Sequence, residues 1–285
     1  MTKILSGSEV AEALKQKIIS EVKNLKQQGF KPVLCIVMVG KQPDSVAYVK
    51  SASKKCETMG IGCRIKTLPE DIREEELIKT IQELNEDKTI NGIMIMLPLP
   101  THISQKAVKY VISPEKDVDC LNPVNVSKVM SGEKCTFTPC TPSAVMEILK
   151  HYGIDIQGKK AVIIGRSMVV GRPLAMMLLK ENATVTICHT KTVNLKEETR
   201  RADILVAAAG KPKMVKKDMV DDGAIVIDVG INFDEDGKMC GDVDFDGVRQ
   251  VTSMITPVPK GVGSVTSTVL MKHVIEACKQ QNNLA

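Results

Sequence analysis

The alternation of short apolar runs with helix-length amphipathic segments constrains the fold of this chain most. The pattern predicts strands over residues 33–39, 64–68, 92–97, 160–164, 184–188, 204–207 and 224–229. It predicts helices over residues 45–59, 71–85, 142–152, 172–181 and 265–281, with Asp71 as the cap of the second and Gly60 ending the first. Strands that alternate with helices indicate parallel βαβ units. We therefore expect an α/β protein.

A segment rich in Thr, Pro and Cys, residues 132–142, separates two such α/β regions. Pro142 at its end is expected in the first turn of a helix, where proline is tolerated because its missing N–H has no partner to lose. The sequence therefore predicts two lobes, with the boundary in this segment.

A strand, a glycine turn and a helix start follow one another in AVIIGRSMVVGRP, residues 161–173. Such a turn aims backbone N–H groups and the helix dipole at an anion, usually a dinucleotide pyrophosphate. The spacing of Gly165 and Gly171 departs from the common GxGxxG pattern. Taken alone, the turn fits a cofactor site or a strand–helix turn of a non-binding α/β domain.

The end of the next strand indicates which dinucleotide the turn would take. NAD enzymes usually place Asp or Glu there to bind the ribose 2′-hydroxyl. Here the strand ends in Cys-His-Thr190-Lys191, without a carboxylate, and Arg166 adds a cation. A 2′-phosphate suits this environment, so NADP is favoured over NAD, although Lys191 and Arg166 could simply be solvated.

Composition excludes several other classes of protein. The 285 residues carry a net charge of +5 with no basic run, only 3 Tyr and 4 Phe and no Trp, which argues against a nucleic-acid stacking surface. The N-terminus lacks the apolar core of a signal peptide, and no stretch is long enough to span a membrane. The nine cysteines form no CxxC pair, and the four histidines are scattered, so we expect reduced thiols, no metal and a cytoplasmic protein.

Several motifs, in order along nearly the whole chain, resemble those of FolD-type methylenetetrahydrofolate dehydrogenase/cyclohydrolases. The motifs are SVAYVKSASKK at 45–55, GIMIMLPLP at 92–100, PEKDVDCLNP at 114–123, TPCTP at 138–142, GRSMVVGRP at 165–173 and TPVPKGVGSVT at 256–266. The glycine spacing at Gly165 and Gly171 resembles the turn of this family rather than the general Rossmann fingerprint. Together the motifs identify the family more specifically than any one of them could.

The resemblance implies a two-lobed α/β fold, with a folate-binding catalytic domain (1–142 plus 268–285) and a Rossmann-type NADP-binding domain with a parallel sheet (143–267). It implies a tetrahydrofolate site in a cleft between the lobes, two chains paired as a homodimer, and no nucleic-acid or membrane partner. The implied substrate-binding residues are Tyr48, Leu97, Pro98, Leu99, Asp119, Pro259, Gly261 and Gly263. The implied cofactor-binding residues are Gly165, Arg166, Ser167, Gly171, Thr190, Lys191, Val229, Gly230 and Ile231.

Two positions depart from the family's catalytic pattern. The family usually has Lys four residues after the tyrosine, on the same helix face, where this chain has Ala52. The family usually has Gln in the neighbouring strand, where this chain has Met96, which cannot donate a hydrogen bond. Lys55 returns to the face of Tyr48, but roughly 10.5 Å along the helix axis.

These departures affect the two family activities differently. Hydride transfer from 5,10-methylenetetrahydrofolate to NADP mainly requires positioning of two bound partners. Hydrolysis of the methenyl product requires proton transfers, which the resemblance assigns to the missing groups. We predict a dehydrogenase with catalytic residues Tyr48, Asp119 and Lys55 and with weak or lost cyclohydrolase activity. A bifunctional enzyme rescued by Lys55 or water, and a silent NADP- or folate-binding protein, are the alternatives.

A further departure lies in the segment TPVPKGVGSVT, where the family usually has Gly and Pro in place of Lys260 and Ser264. Lys260 could attract the glutamate tail of a folate or be solvated, and we favour the solvated reading. Gly261 and Gly263 are expected to supply positive φ angles in this loop.

Overall fold

A computed structural model describes residues 2–284 and confirms the α/β class. The strands are β1 (Lys3–Ile4), β2 (Val33–Val39), β3 (Gly62–Leu68), β4 (Gly92–Ile95), β5 (Lys160–Ile164), β6 (Thr184–Cys188), β7 (Ile204–Ala207), β8 (Ile225–Asp228), β9 (Asn232–Phe233), β10 (Met239–Cys240) and β11 (Met254–Ile255). The α-helices are α1 (Gly7–Gln27), α2 (Pro43–Met59), α3 (Glu74–Glu86), α4 (Gln105–Val111), α5 (Pro123–Ser131), α6 (Cys140–His151), α7 (Gly171–Lys180), α8 (Leu195–Arg200), α9 (Phe245–Val248) and α10 (Val262–Gln281).

The chain divides into two compact units, which are described separately. The six-stranded unit comprises the residues up to Glu12, Val129–Glu133 and Pro139–Thr266. The three-stranded unit comprises Ala13–Lys128, Lys134–Thr138 and the residues from Ser267 onward.

The six-stranded unit contains a parallel sheet in the order β1-β11-β8-β7-β5-β6. Its central strands carry runs of apolar side chains that are buried almost without exception, as expected when helices cover both faces of a parallel sheet. The strand order changes direction between β5 and β7, and ligands of open α/β sheets bind at the carboxyl ends of strands at such a point. A short antiparallel ribbon, β9–β10, lies outside this sheet.

The three-stranded unit contains a parallel sheet in the order β3-β2-β4. All seven residues of the central strand β2 are buried. One face packs into an apolar core with α3 and α4, through residues such as Leu77, Ile81 and Val108. The sheet confirms the parallel βαβ units that the sequence predicts for this region.

The N-terminal residues belong to a different unit from the one predicted for them. β1 pairs in parallel with β11, with Lys3 opposite Met254, and so joins the sheet of the six-stranded unit. The predicted catalytic domain instead began at residue 1 and ran to 142, whereas the six-stranded unit begins again at Pro139. A pairing between residues 251 positions apart leaves no local trace in the sequence, because both strands are only two residues long.

Several predicted element boundaries are wrong, for local reasons. α3 begins at Glu74 rather than residue 71, and its N-cap is Arg73 without a side-chain cap bond. The N–H of Ile72 instead bonds the carbonyl of Pro69 at 3.3 Å, so Asp71 lies in a turn. α6 begins at Cys140, two residues before Pro142, which still lies in its first turn. The helices α4, α5, α8 and α9 are not in the predicted set.

No helix among residues 2–284 combines the length and the apolar character that crossing a membrane would require. Within the same residues, no group of three or more His, Cys, Asp or Glu side chains is arranged to hold a metal ion. All nine cysteines are free thiols, and most are buried.

Candidate cofactor and substrate sites

The turn after β5 is so tight that two of its positions require glycine. Gly165 has φ of 132°, and a Cβ there would lie 2.2 Å from the carbonyl oxygen of Ala208. A Cβ on Gly171 would lie 2.0 Å from the carbonyl oxygen of Gly165. The two glycines therefore let the turn fold back on itself, and they leave Arg166 and Ser167 exposed just before α7.

A cavity of about 490 Å³ opens beside this turn, at the carboxyl ends of β5, β6 and β7. It is lined by Ile164, Gly165, Arg166, Ser167, His189, Thr190, Thr192, Leu195, Ala208, Ala209, Lys211 and Met214. Four predicted cofactor residues, Gly165, Arg166, Ser167 and Thr190, are thus together in one cavity. Its lining residues within the described chain carry two cationic side chains and no carboxylate.

The segment after β7 supplies lining residues that the sequence analysis missed, including Ala208, Ala209 and Lys211. The run of small residues in AAAGKP, directly after an apolar strand, is the signal that could have identified it. Asp242 holds the segment in place, because its buried carboxylate accepts bonds from the N–H groups of Ala209 at 2.5 Å, Gly210 at 3.0 Å and Lys211 at 2.9 Å. Asp242 therefore has a structural role in this segment.

A second buried carboxylate organises the segment after β8. Asp228 accepts bonds from the N–H groups of Gly230 at 2.9 Å, Asp242 at 3.0 Å and Val243 at 2.9 Å. Burial raises the pKa of Asp228 to about 6, although these hydrogen bonds favour its charged form. A Cβ on Gly230 would lie 2.3 Å from a carboxylate oxygen of Asp242, so this glycine is required by packing.

The remaining predicted cofactor residues flank this cavity but do not line it. Gly171 begins α7, and Lys191 is exposed next to Thr190. The N–H of Val229 bonds the carbonyl of Ala207 at 2.8 Å, which continues the pairing of β8 with β7. Ile231 is exposed.

In the three-stranded unit, α2 places Tyr48 and Ala52 one turn apart. Tyr48 is half-buried near the start of the helix, and Ala52 is 2% exposed. Ala52 lies on the buried face of α2 with Val49, Cys56 and Met59. A lysine at this position would therefore start from the packed side of the helix rather than from solvent.

Lys55 lies further along α2, and its side chain contacts α10. Its ammonium donates a hydrogen bond to the hydroxyl of Ser267 in α10. Burial lowers the pKa of Lys55, because the charged form is poorly solvated there. The side chain is thus a half-buried amine held by one hydroxyl.

The segment after β4 carries Leu97, Pro98 and Leu99, which the family resemblance implies as substrate-binding residues. The N–H of Met96 bonds the carbonyl of Val37 at 2.9 Å, which fixes the start of the segment against β2. Leu97 and Pro98 are exposed, with a cis bond between them. Leu99 is 6% exposed and its side chain packs in the apolar core.

The segment that carries Asp119 is anchored by its neighbours. Asp117 is fully buried, and its carboxylate accepts bonds from the N–H groups of Leu121 and Asn122, both at 2.8 Å. Burial raises the pKa of Asp117. The ring of His273 in α10 lies 2.9 Å from the carbonyl of Val118. The first Asp of the DVD motif therefore positions the segment, and Asp119 is half-buried at its surface.

The predicted segment Pro257–Gly263 has its left-handed position at Lys260, with φ of 74°, and not at Gly261 or Gly263. Gly261 is required for a different reason, since a Cβ there would lie 2.2 Å from the carbonyl oxygen of Pro257. Lys260 and Pro259 are exposed, which agrees with the solvated reading of this lysine.

Comparisons with known proteins agree with the fold described above. The family model for the tetrahydrofolate dehydrogenase/cyclohydrolase catalytic domain matches residues 5–119, and that for the NAD(P)-binding domain matches residues 139–282. The bifunctional protein FolD of Clostridioides difficile is 53% identical over 280 residues, covering 98% of both chains.

Solved structures of this family are also similar. The bifunctional FolD enzyme of Campylobacter jejuni superposes with a TM-score of 0.96 at 43% identity, covering 98% of this chain and 99% of that one. A Trypanosoma brucei methylenetetrahydrofolate dehydrogenase-cyclohydrolase, solved with NADP and an inhibitor, has a TM-score of 0.91 at 38% identity, covering 98% of each chain. This chain therefore belongs to the tetrahydrofolate dehydrogenase/cyclohydrolase family, and its C-terminal match is the family's NAD(P)-binding domain.

Proposed function

We propose that this protein oxidises 5,10-methylenetetrahydrofolate to 5,10-methenyltetrahydrofolate with NADP as the hydride acceptor. The observation that carries the proposal is the cavity of about 490 Å³ beside Gly165, Arg166 and Ser167, in a chain of this family. Similar proteins with this activity in their names, including one solved with NADP, support it.

The cavity has the chemistry of an NADP site. The start of α7 suits a pyrophosphate, because the positive end of a helix dipole attracts anions. Arg166 and Lys211 line the cavity, and guanidinium and ammonium groups suit a 2′-phosphate better than a hydroxyl. NADP would supply the hydride acceptor, and these residues would bind and orient it.

In the three-stranded unit, Tyr48 and Asp119 would bind the folate. The phenol ring of Tyr48 would pack against the ring system of the substrate. The carboxylate of Asp119 would accept hydrogen bonds from the pterin amino group and a ring nitrogen, and the Asp117 network would hold its segment in position. Leu97 and Pro98 would complete the contacts that this unit makes with the folate. Oxidation leaves a delocalised methenyl cation, so no side chain has to take a proton in this step.

We propose further that cyclohydrolase activity is weak or lost. Hydrolysis of the methenyl cation requires water activation and proton transfer, which a positioned base accelerates by roughly 10²–10⁴-fold. Ala52 offers no such group on the buried face of α2, and the thioether of Met96 is a poor acceptor. Lys55 could act only by leaving its bond to Ser267.

The bifunctional enzyme is the second candidate. It is favoured by the names of relatives such as the Clostridioides difficile protein, and by the lowered pKa of Lys55, which would supply a neutral amine more readily. A protein that binds NADP and folate without catalysis is the third candidate, and it would form no NADPH.

One assay distinguishes these candidates. Purified protein is mixed with 5,10-methylenetetrahydrofolate and NADP, and NADPH and methenyl absorbance are followed together. We expect methenyl product to accumulate one-for-one with NADPH and to decay at its spontaneous rate. Rapid consumption of methenyl product would show a bifunctional enzyme, and no NADPH would contradict the proposal altogether.

We also propose that two chains associate through their six-stranded units. The ribbon of this unit exposes Phe233 at 64%, next to Ile231 at 62%. Light scattering of the purified protein should give the mass of a dimer.

A further inference from the structure

The three-stranded unit contains a second cavity, remote from the proposed folate contacts. It has a volume of about 550 Å³ and is lined by Gly29, Phe30, Lys31, Val33, Gly62, Cys63, Arg64, Lys88, Thr89, Asn91, Cys278 and Asn282. Val33 and Gly62 are the first residues of β2 and β3, so the cavity lies at the amino ends of these strands. The turn at Met96–Pro98 follows the carboxyl end of β4, at the opposite edge of the same parallel sheet.

The charged side chains that line this cavity are all cationic. Lys31, Arg64 and Lys88 line it, and none of its lining residues in the described chain is acidic. Arg64 is paired with Asp87 at 2.9 Å, which offsets one of the three cations. Cations clustered along a concave surface raise the local concentration of anionic ligands.

Cys63 lines the cavity, and its pKa is affected by a second thiol, that of Cys56. It is half-buried at the start of β3, whereas Cys56, near the end of α2, is fully buried. The Cys56 thiol donates its hydrogen bond to the sulfur of Met271 at 3.3 Å. The adjacent Cys56 and Ser53 side chains lower the pKa of Cys63 to about 7, while Cys63 and burial raise the pKa of Cys56.

We propose that this cavity binds small disulfides that carry anionic groups, and that Cys63 forms a mixed disulfide with them. The Cys63 thiolate attacks one sulfur of the bound disulfide. A new sulfur–sulfur bond forms as the old one breaks, and the other half leaves as a thiolate that takes a proton from water. The small disulfide is the oxidant, and it is reduced to one thiol while Cys63 is oxidised.

Size, charge and nucleophile all favour this chemistry at Cys63. Pockets for small molecules commonly enclose roughly 300–1,000 Å³, a range that includes this cavity. Reactive cysteines lie in electropositive, partly exposed surroundings, whereas buried ones are inert. Cys278 also lines the cavity but is buried, and burial raises its pKa. Burial likewise raises the pKa of the nearby Cys35, to about 11.

The test compares two disulfides of opposite charge on the full chain. Oxidised glutathione carries carboxylates and cystamine carries ammonium groups, and N-acetylcysteine serves as the reference thiol that corrects for their intrinsic reactivities. Intact mass follows the rate at low ionic strength, and peptide mapping locates the adduct. We expect the adduct to form at Cys63. After correction with the reference thiol, oxidised glutathione should react about ten times faster than cystamine, and this ratio should fall as added salt screens the cations.

Two variants complete the test. Cys63→Ser should abolish the rapid modification of the protein by oxidised glutathione. Lys31→Gln combined with Lys88→Gln should slow oxidised glutathione severalfold and leave cystamine unchanged or faster, and both substitutions are at exposed positions that should leave folding intact. Adducts mapped to another cysteine, or equal corrected rates for the two disulfides, would overturn the proposal. The readout is independent of dehydrogenase activity, so it stands apart from the proposed function.

Discussion

The backbone of Gly165 passes so close to Ala208 that a Cβ on the glycine would lie 2.2 Å from the alanine's carbonyl oxygen. Both residues line the cavity proposed for NADP. Gly165→Ala must therefore move either the glycine turn or the segment after β7, and it also places a side chain at φ of 132°. We expect the unfolding free energy to fall by about 2–4 kcal/mol. NADPH binding should weaken at least about tenfold, the equivalent of 1.4 kcal/mol.

Gly223→Ala is the matched control for that substitution. Gly223 also has a positive φ, of 85°, but a Cβ there would meet no atom within 4 Å. It should lower stability by about 1 kcal/mol and leave NADPH binding unchanged. Urea unfolding and fluorescence titration with NADPH measure the two quantities, and unaltered NADPH binding by Gly165→Ala would contradict the assignment of the cavity.

Arg166 is expected to favour NADP over NAD. Arg166→Gln removes a charged partner of the 2′-phosphate, and charged hydrogen bonds of this kind contribute roughly 1.5–3 kcal/mol. The KM for NADP should therefore rise at least about tenfold while that for NAD changes little. Arg172→Gln is the control, because Arg172 is exposed on α7 but does not line the cavity. Equal changes in the KM for NADP and in the KM for NAD would mean that the 2′-phosphate binds elsewhere.

Asp228 should make stability depend on pH in an unusual direction. Burial raises its pKa from 3.8 to about 6, so the folded protein holds a proton that the unfolded chain has already released. Between about pH 4 and pH 6 this carboxyl therefore contributes less and less stability as pH rises. The loss should be on the order of 3 kcal/mol by pH 7.

The measurement compares urea unfolding of the wild type and Asp228→Asn from pH 4 to pH 7. The difference in unfolding free energy, wild type minus variant, should decline over this range, since the variant lacks the titrating group. Asp246→Asn removes an exposed carboxyl on the neighbouring α9 and is the control. A difference that grows with pH would mean that hydrogen bonds outweigh burial at Asp228.

Restoring the two missing groups should restore hydrolysis. In Ala52→Lys combined with Met96→Gln, the new amine and amide lie in the positions that the family pattern gives them. We expect methenyl hydrolysis to rise at least about tenfold, since general acid–base groups contribute 10²–10⁴-fold. Because Ala52 is 2% exposed, burying an amine should cost about 1–3 kcal/mol of stability.

Ala47→Lys is the control for that gain, because Ala47 is exposed on the same helix and the added lysine would be solvated. It should change neither hydrolysis nor stability appreciably. Methenyl decay followed by absorbance gives the rates. No gain in the double variant would show that Ala52 and Met96 are not what limits hydrolysis.

Lys55→Met tests whether Lys55 replaces the missing lysine. If the wild type retains any hydrolysis above the spontaneous rate, we expect Lys55→Met to leave it unchanged, since the ammonium is bound to Ser267. Loss of residual hydrolysis with normal NADPH formation would assign that activity to Lys55. Lys54→Met, at an exposed neighbouring position, is the matched control.

Local sequence patterns were sufficient to predict four of the strands and the glycine turn. β2, β5, β6 and β7 have the predicted bounds, because runs of apolar residues bounded by turn residues suffice to mark a buried strand. The turn at Gly165 was also predictable from a local pattern, because a strand, a glycine and a helix start follow one another there. Gly165 adopts a φ of 132°, which favours glycine. The family motifs then assigned roles that spacing alone left open.

Contacts between residues far apart in the sequence could not be predicted from local patterns. Lys3 pairs with Met254, Asp242 fixes the N–H groups of 209–211, and Lys55 binds Ser267, and none of these contacts follows from a local pattern. Each joins segments between about 30 and 250 positions apart, so its partner is selected by the packing of the whole unit. The sequence specifies which ionisable groups the chain carries. The burial that raises the pKa of Asp228 and lowers that of Lys55 exists only once the chain has folded.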